Sequence, residues 1–216
     1  DFNTPSHIRD AAKRALDSGF THYTSSRGLL ELRREIARKL EEDNGIVASP
    51  DSEIVVTAGA CCAVYLGMLA LVNPGDEVLL PDPAWPAYEP CALLAEASVA
   101  HYRIREEDNF TPDPKSIREK ITPKTKILLM NSPNNPTGSV TSTSNLKEIA
   151  DLAEQHRLTV ISDEVYEKFI YDGMRHQSFA ALSGMAERTV TINSFSKTYA
   201  MTGWRLGYAV APANIV

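Results

Sequence analysis

A lysine late in the sequence is flanked by groups that suit covalent chemistry on a phosphorylated molecule. Lys197 lies three residues after Ser194 and eight before Arg205, in the stretch SFSKTYAMTGWRLGY. A lysine amine that forms a Schiff base needs a confined site and a fixed neighbour that favours its neutral form. A hydroxyl and a guanidinium beside it suit a phosphate. The spacing predicts a lysine that binds a phosphorylated aldehyde, whereas a lone Ser-x-x-Lys is more typical of a surface loop.

Pyridoxal 5'-phosphate is an aldehyde of this kind. The stretch around Lys197 resembles the cofactor-lysine signature of the class I/II (fold type I) aminotransferases, of the aspartate aminotransferase type, and the resemblance runs from Asp1 to Tyr208. It implies that Lys197 holds the cofactor as an internal aldimine. Once the substrate amine displaces it, the freed lysine amine would move the α-proton as a general base.

Asp163 closes the segment TVISD and precedes Glu164. In the family that the chain resembles, such a carboxylate faces the pyridine nitrogen and keeps it protonated, so that the ring accepts electrons. An apolar strand ending in Asp-Glu is also typical of the metal-holding strand of P-loop ATPases, but the sequence has no Gly-x-x-x-x-Gly-Lys-Ser/Thr segment. A second interpretation, in which Asp163 is only a helix N-cap, stays open.

Two further polar residues follow strands and resemble family positions that contact the ring hydroxyl of the cofactor. Asn135 lies in SPNNPTG, which resembles the Asn-Pro-x-Gly segment of the family, and Tyr166 follows Asp163 by three residues. A donor to this oxygen would favour its anionic form. A segment rich in proline and asparagine is equally typical of an ordinary turn.

The phosphate and the ring of the cofactor have candidate partners in two other segments. Gly59, Ala60 and Cys61 lie between a predicted strand and a predicted helix, where backbone N–H groups can bind a phosphate, although an ordinary turn fits too. Trp85 resembles the aromatic residue that stacks on the ring, and its alternative is a core residue. Tyr88, in the same segment, is interpreted as structural.

Tyr23 precedes Gly28-Leu-Leu-Glu-Leu-Arg33 and resembles a family tyrosine that reaches across a subunit interface to the cofactor phosphate of its partner. The resemblance therefore implies a homodimer with shared sites, and an L-amino acid and a 2-oxo acid as substrates. A tyrosine at the solvent edge before a helix is the alternative.

Composition excludes several other classes of protein. The net charge of −6 over 216 residues argues against a nucleic-acid partner. The three cysteines, Cys61, Cys62 and Cys91, and the five histidines lack the spacing of a disulfide framework or a metal site. The longest apolar run, Gly59 to Val72, is too short to span a bilayer. We expect a cytoplasmic protein without a metal or a membrane partner.

Short β-branched runs alternate with helical patterns, which predicts a three-layer α/β/α fold around a mostly parallel sheet of seven strands. The link before Leu206–Val210 is short, so this strand is expected to be antiparallel. Ligands bind at the carboxyl ends of strands in such sheets. Four site candidates each follow the end of a predicted strand: Gly59, Asn135, Asp163 and Lys197.

The leading hypothesis is an amino-acid aminotransferase that moves an amino group from an L-amino acid to a 2-oxo acid. A pyridoxal-phosphate lyase or synthase on the same fold is an alternative, and so is a non-catalytic ligand-binding module. Residues 1–216 are expected to be the cofactor-binding large domain. In the family, a C-terminal small domain supplies the arginine for the substrate carboxylate, and no residue here resembles that arginine.

Overall fold

The protein is described by a computed structural model that covers residues 2–216. Its centre is one seven-stranded sheet with the order β1-β7-β6-β5-β4-β2-β3. The strands are β1 Ile54–Thr57, β2 Glu77–Asp82, β3 Ser98–Arg103, β4 Thr125–Asn131, β5 Thr159–Asp163, β6 Thr189–Ser194 and β7 Gly207–Val210. The α-helices are α1 Ser6–Asp17, α2 Leu30–Lys39, α3 Ala60–Leu71, α4 Tyr88–Leu94, α5 Pro114–Lys120, α6 Thr143–Gln155 and α7 Phe195–Thr198.

The direction of the strands confirms the predicted mixed sheet. Strands β2 to β6 pair in parallel, and β7 is antiparallel to both β1 and β6. Each parallel connection passes through a long segment, as parallel pairing requires. This segment contains an α-helix in every case except between β5 and β6, where it is an irregular loop with two short 3-10 turns. The segment between β6 and β7 contains only a four-residue helix and one further turn, so the chain returns in the opposite direction.

Two apolar layers cover the sheet and make the fold three-layered. On one face, Val64 and Met68 of α3 and Ala92 of α4 pack against the strands. On the other face, Ile117 of α5 and Ile149 of α6 pack against the strands. A third cluster joins α2 to β1 and β7. The central strands are buried on both faces, which explains their nearly continuous apolar sequences.

The structure differs from the sequence-based prediction at two helices. The spacing of Leu29, Leu32, Ile36 and Leu40 predicts one helix over residues 27–43. The observed helix α2 spans only Leu30–Lys39, and the chain then forms a π-helical turn over Leu40–Asn44. Gly45 ends this turn with a φ of 67°, a conformation that glycine adopts without strain. The helix α1 was not predicted, although Ile8, Ala11, Ala12 and Ala15 lie at helical spacing. None of its residues is buried in the structure.

No helix in the described part of the chain is both long enough and apolar enough to cross a membrane.

Strand β7 approaches the start of α3 so closely that only glycine fits at its first residue. A Cβ added to Gly207 would lie 2.6 Å from the backbone nitrogen of Ala60 and 2.7 Å from the carbonyl carbon of Gly59. Both neighbours are backbone atoms and cannot rotate away. The first turn of α3 is therefore fixed against β7.

We expect Gly207→Ala to lower the free energy of unfolding by about 1–3 kcal/mol, because the added methyl group overpacks this contact. Gly203→Ala is the matched control, since a Cβ at Gly203 meets nothing within 4 Å. That change should stay within about 0.5 kcal/mol of the parent. Urea unfolding followed by circular dichroism measures both, and equal effects at the two positions would contradict the packing argument.

Candidate active site

The carboxyl ends of the strands and the segments that follow them enclose one cavity of about 250 Å³. It brings together nine of the eleven site residues predicted from the sequence: Ala60, Cys61, Trp85, Asn135, Asp163, Tyr166, Ser194, Lys197 and Arg205. Gly59 adjoins it, because a Cβ at Gly59 would meet the guanidinium of Arg205. Tyr23 is the exception.

Lys197 lies on the short helix α7, directly after the central strand β6. The hydroxyl of Ser194 fixes the start of this helix by accepting a hydrogen bond from the backbone nitrogen of Ser196, at 3.0 Å. The same hydroxyl donates to the carbonyl oxygen of Leu206, at 3.1 Å. Lys197 is exposed, and its Nζ lies 5.7 Å from the centre of the Tyr166 ring. Ser194 thus orients the lysine turn as well as lining the cavity.

Asp163 ends the middle strand of the sheet and is only 5% exposed. Its Oδ2 accepts a hydrogen bond from the Tyr88 hydroxyl at 2.6 Å, and its Oδ1 accepts one from the backbone nitrogen of Val165 at 3.1 Å. Burial raises the pKa of this carboxyl to about 6, although both bonds favour the ionised form. A turn rather than a helix follows, so Asp163 is not a helix N-cap.

Asn135 and Tyr166 point to one place in the cavity. The side-chain amide of Asn135 donates to the hydroxyl oxygen of Tyr166 at 3.4 Å. The backbone of Asn135 is anchored in turn, since its nitrogen donates to Oδ1 of Asn131 at 2.7 Å. Asn131 also donates to the carbonyl oxygen of Asp163 at 3.0 Å, which couples the two strand ends. The Pro- and Asn-rich segment is therefore a turn that also presents a donor.

The opposite end of the cavity is suited to an anion. Gly59 has a φ of 85° and starts α3, and no side chain caps this helix N-terminus. Arg205 lies beside it and donates from Nη1 to the carbonyl oxygen of Thr202 at 2.9 Å. No carboxylate in residues 2–216 forms an ion pair with Arg205. Free backbone donors and a guanidinium at one point bind phosphate well.

Trp85 forms a wall of the cavity and packs edge-on against Tyr88, with ring centres 5.3 Å apart and planes at 80°. Tyr88 is 1% exposed and bonds to Asp163, so it belongs to the site rather than to the structure alone. The sequence did not predict this role. Asp163 is 75 positions away in the chain, and no local pattern indicates that contact.

Tyr23 lies outside the cavity, with its side chain fully exposed at 107%. Within a single chain it therefore contacts none of the other predicted site residues.

Glu164, the neighbour of Asp163, was also missed and has a different environment. It is 1% exposed and accepts hydrogen bonds from Ser162, Ser178 and the backbone nitrogen of Phe179. His176 lies 2.9 Å from it. Burial raises the pKa of Glu164, but the bonds from His176 and the serines outweigh this, and the pKa lies below its ordinary value. Glu164 anchors the loop before β6.

A larger cavity of about 380 Å³ lies between α2 and α7. Its cations are already paired: Arg38 bonds to Glu35 and Glu42, and Lys39 bonds to Glu167. In the smaller cavity, Lys197 and Arg205 have no such partners among the described residues. The smaller cavity is therefore the better candidate for binding an anionic substrate or cofactor.

The groups of the smaller cavity fit pyridoxal phosphate. An amine that can form a Schiff base lies on α7, an uncapped helix N-terminus and a guanidinium suit the phosphate, and a buried carboxylate suits the ring nitrogen. Trp85 offers an aromatic surface for the ring. This donor set suits a phosphorylated aldehyde that links covalently to an amine.

Comparison with known proteins agrees with this class. The family Aminotransferase class I and II matches residues 1–216. The chain is 51% identical over 216 residues to an aspartate aminotransferase from Pyrococcus abyssi, covering 100% of this chain and 56% of the relative. It is 46% identical, with the same coverage, to aromatic-amino-acid aminotransferase 2 from Thermococcus litoralis.

Solved structures give the same result. The aromatic aminotransferase from Pyrococcus horikoshii superposes with a TM-score of 0.98 at 52% identity, covering 100% of this chain and 58% of that one. Aspartate aminotransferase from Thermus thermophilus with maleate gives 0.96 at 41% identity, covering 100% and 55%. The chain belongs to the class I and II aminotransferase family. It spans little more than half the length of these relatives.

The raised pKa of Asp163 gives the cofactor-free protein a characteristic pH dependence. A carboxyl of an unfolded chain has a pKa of about 3.9, and the folded protein holds this proton up to about pH 6. The folded state binds the proton more tightly, so ionisation of Asp163 destabilises it as the pH rises from about 4 to 6. The free energy of unfolding falls by up to about 3 kcal/mol over this pH range.

We therefore expect Asp163→Asn to gain stability relative to the parent as the pH rises through this window, with a plateau above about pH 6. Urea unfolding of both cofactor-free proteins at several pH values measures the difference. Asp151→Asn, on the exposed side of α6, is the control and should leave the pH dependence of the parent in place. A difference for Asp163→Asn that is constant from pH 4 to 7 would show that burial does not perturb this carboxyl.

Proposed function

We propose that the protein is a pyridoxal-phosphate-dependent aminotransferase that moves an amino group from an L-amino acid to a 2-oxo acid. The observation that carries the proposal is the meeting of Lys197, Asp163 and Arg205 in one cavity, from three separate strand ends. The aspartate and aromatic-amino-acid specificities of the relatives make acidic and aromatic amino acids the first substrates to test. All three cysteines are free, as they would be in the reducing cytoplasm that we propose as its compartment.

When bound, pyridoxal phosphate supplies an aldehyde that links covalently to amines and a ring that accepts the electron pair released at the substrate α-carbon. Lys197 would hold the cofactor through Nζ and, once freed, accept the proton from the substrate α-carbon as a general base. Arg205 and the backbone nitrogens of Ala60 and Cys61 would bind the phosphate. These groups fix the cofactor at one end, so that the lysine acts at a defined place.

The remaining groups would act on the ring. The ionised carboxylate of Asp163 would hold a proton on the ring nitrogen, and Asn135 and Tyr166 would donate to the ring hydroxyl oxygen. Trp85 would cover one face of the ring and exclude water. Ser194 would support the phosphate end and keep α7 in place, as its two hydrogen bonds suggest.

We further propose that residues 1–216 act as the cofactor-binding large domain. Arg205 is the only arginine among the described residues of the cavity wall, and it is assigned to the phosphate. A substrate α-carboxylate needs its own bidentate partner. That partner would come from the small domain, since the relatives are almost twice as long.

The protein loaded with pyridoxal phosphate should react with one amino acid and release one 2-oxo acid per site, leaving the cofactor in its amine form. This half-reaction is followed by absorbance and by assay of the oxo acid, with aspartate, glutamate, tyrosine and phenylalanine as substrates. A lyase would instead turn over repeatedly without any 2-oxo acceptor. Product formation of that kind would favour the alternative function.

Reduction of the loaded protein with borohydride followed by peptide mapping identifies the anchoring lysine. We expect the pyridoxyl group on Lys197 and no fixed cofactor in Lys197→Ala. Lys168→Ala, an exposed lysine paired with Asp43, is the control and should label normally. A label on any other lysine would overturn the site assignment. A label on Lys197 without any half-reaction would favour a non-catalytic ligand-binding module.

We propose a homodimer in which Tyr23 completes the phosphate site of the partner. Its ring is fully exposed and does not line the cavity of its own chain, which supports this role. Mixed dimers of Tyr23→Ala and Lys197→Ala subunits should contain one intact site, built from Lys197 of the first subunit and the tyrosine of the second. Mixing should therefore raise the activity above that of either variant alone. If the mixture shows only the average of the two activities, the sites are not shared between subunits.

A further inference from the structure

The hydroxyl of Tyr88 is the only side-chain donor to the carboxylate of Asp163 within residues 2–216. It donates to Oδ2 at 2.6 Å, and the other oxygen receives a backbone nitrogen, that of Val165. A hydrogen bond to an ionised carboxylate is shorter and stronger than one between neutral groups. The contact therefore favours the charged carboxylate in a place where burial disfavours it.

Several contacts fix the position of Tyr88. It starts α4, it is 1% exposed, and its ring packs edge-on against Trp85 at 5.3 Å. The tyrosine thus joins the aromatic wall of the cavity to the carboxylate. A shift of Asp163 would have to break this bond or move the packed ring.

We propose that Tyr88 is a positioning residue of this site, whose hydroxyl holds the carboxylate of Asp163 in its ionised form and in one orientation toward the cavity. The proposal rests on the proposed function, since it assigns Asp163 to the ring nitrogen of pyridoxal phosphate. Tyr88 does not act as a charged group, because burial raises its pKa well above the ordinary value and keeps its hydroxyl protonated. It acts through Asp163.

Other groups near Asp163 differ from Tyr88 in their effect. Glu164 repels the charge of Asp163 and raises its pKa, so it opposes the charged form. The further titratable or charged groups that share the cavity with Asp163 come from several elements: Cys61 of α3, Tyr166 after β5, Lys197 of α7 and Arg205 before β7. None of these four forms a hydrogen bond with the carboxylate. The Tyr88 hydroxyl is therefore the contact to remove.

The test uses Tyr88→Phe, which removes one hydroxyl and keeps the ring that packs on Trp85. Tyr102→Phe is the matched control, because Tyr102 is equally buried and its hydroxyl also makes one hydrogen bond, to the carbonyl oxygen of Leu129 at 3.0 Å. That bond runs from β3 to β4, and Tyr102 does not line the cavity. Both variants therefore lose one buried hydroxyl, but only Tyr88→Phe loses a donor to Asp163.

The first readout is the titration of the Asp163 side chain in the cofactor-free protein, by carbon NMR of its carboxyl group. Tyr88→Phe should raise the midpoint by about one pH unit, because a donor to the charged form is lost. Tyr102→Phe should leave the midpoint where it is in the parent. An unchanged midpoint in Tyr88→Phe, or equal shifts in both variants, would overturn the proposal.

The second readout is the half-reaction of the loaded protein as a function of pH. Tyr88→Phe should slow it about ten- to hundredfold and shift its acid limb upward, whereas Tyr102→Phe should do neither. If the Asp163 midpoint moves but no cofactor attaches to Lys197, the proposed function fails and not the contact. If Lys197 is labelled and the midpoint stays fixed, the contact fails and the function stands.

A second variant guards against misfolding of Tyr88→Phe. Replacement of Tyr88 by 3-fluorotyrosine keeps the shape and the hydroxyl but makes it a stronger donor. The Asp163 midpoint should then move downward, opposite to the effect of removing the hydroxyl. A shift in the same direction for both replacements would contradict the assigned hydrogen bond.

Discussion

Strands that run in parallel all present their carboxyl ends at the same edge of a sheet, and the whole cavity depends on this constraint. Asp163 ends β5, Lys197 follows β6 and Asn135 follows β4, although 62 positions separate the first and last of these along the chain. The buried apolar residues of these strands fix the register in which Asp163 faces Asn131 and Ile192. The site is therefore a property of the core packing.

Asp163 and Glu164 are both buried at this edge of the sheet, yet their pKa values are shifted in opposite directions. Successive residues of a strand point to opposite faces, so Asp163 faces Tyr88 while Glu164 faces Ser162 and the loop before β6. Asp163 has two donors and a raised pKa, whereas Glu164 has several donors and a lowered one. The more lightly bonded carboxylate lines the cavity. The other stabilises the loop that surrounds it.

The sheet could be predicted from local patterns, and most cavity residues from the resemblance of their segments to the aminotransferase family. Short β-branched runs identify the strands, and the brief link between β6 and β7 indicates the antiparallel strand. The contacts of Tyr88 and Glu164 could not be predicted, because their partners are distant in sequence or lie in an irregular loop. The amphipathic pattern of α1 could have predicted this helix, but not that its apolar face is left without a partner in this chain. The position of Tyr23 relative to a second subunit lies beyond a single chain.

The edge strand β1 has a consequence for the way in which the chain is made. Its only neighbour in the sheet is β7, and Ile54 pairs with Val210. A ribosome adds about 5–20 residues per second, so β1 waits on the order of ten seconds for its partner to appear. Strands β2 to β5 can pair in the meantime, while β1 and the glycine loop after it have no place to dock. The phosphate end of the cavity is thus completed last during synthesis. Until then the backbone N–H and C=O groups of β1 are unpaired, and a chaperone can bind them.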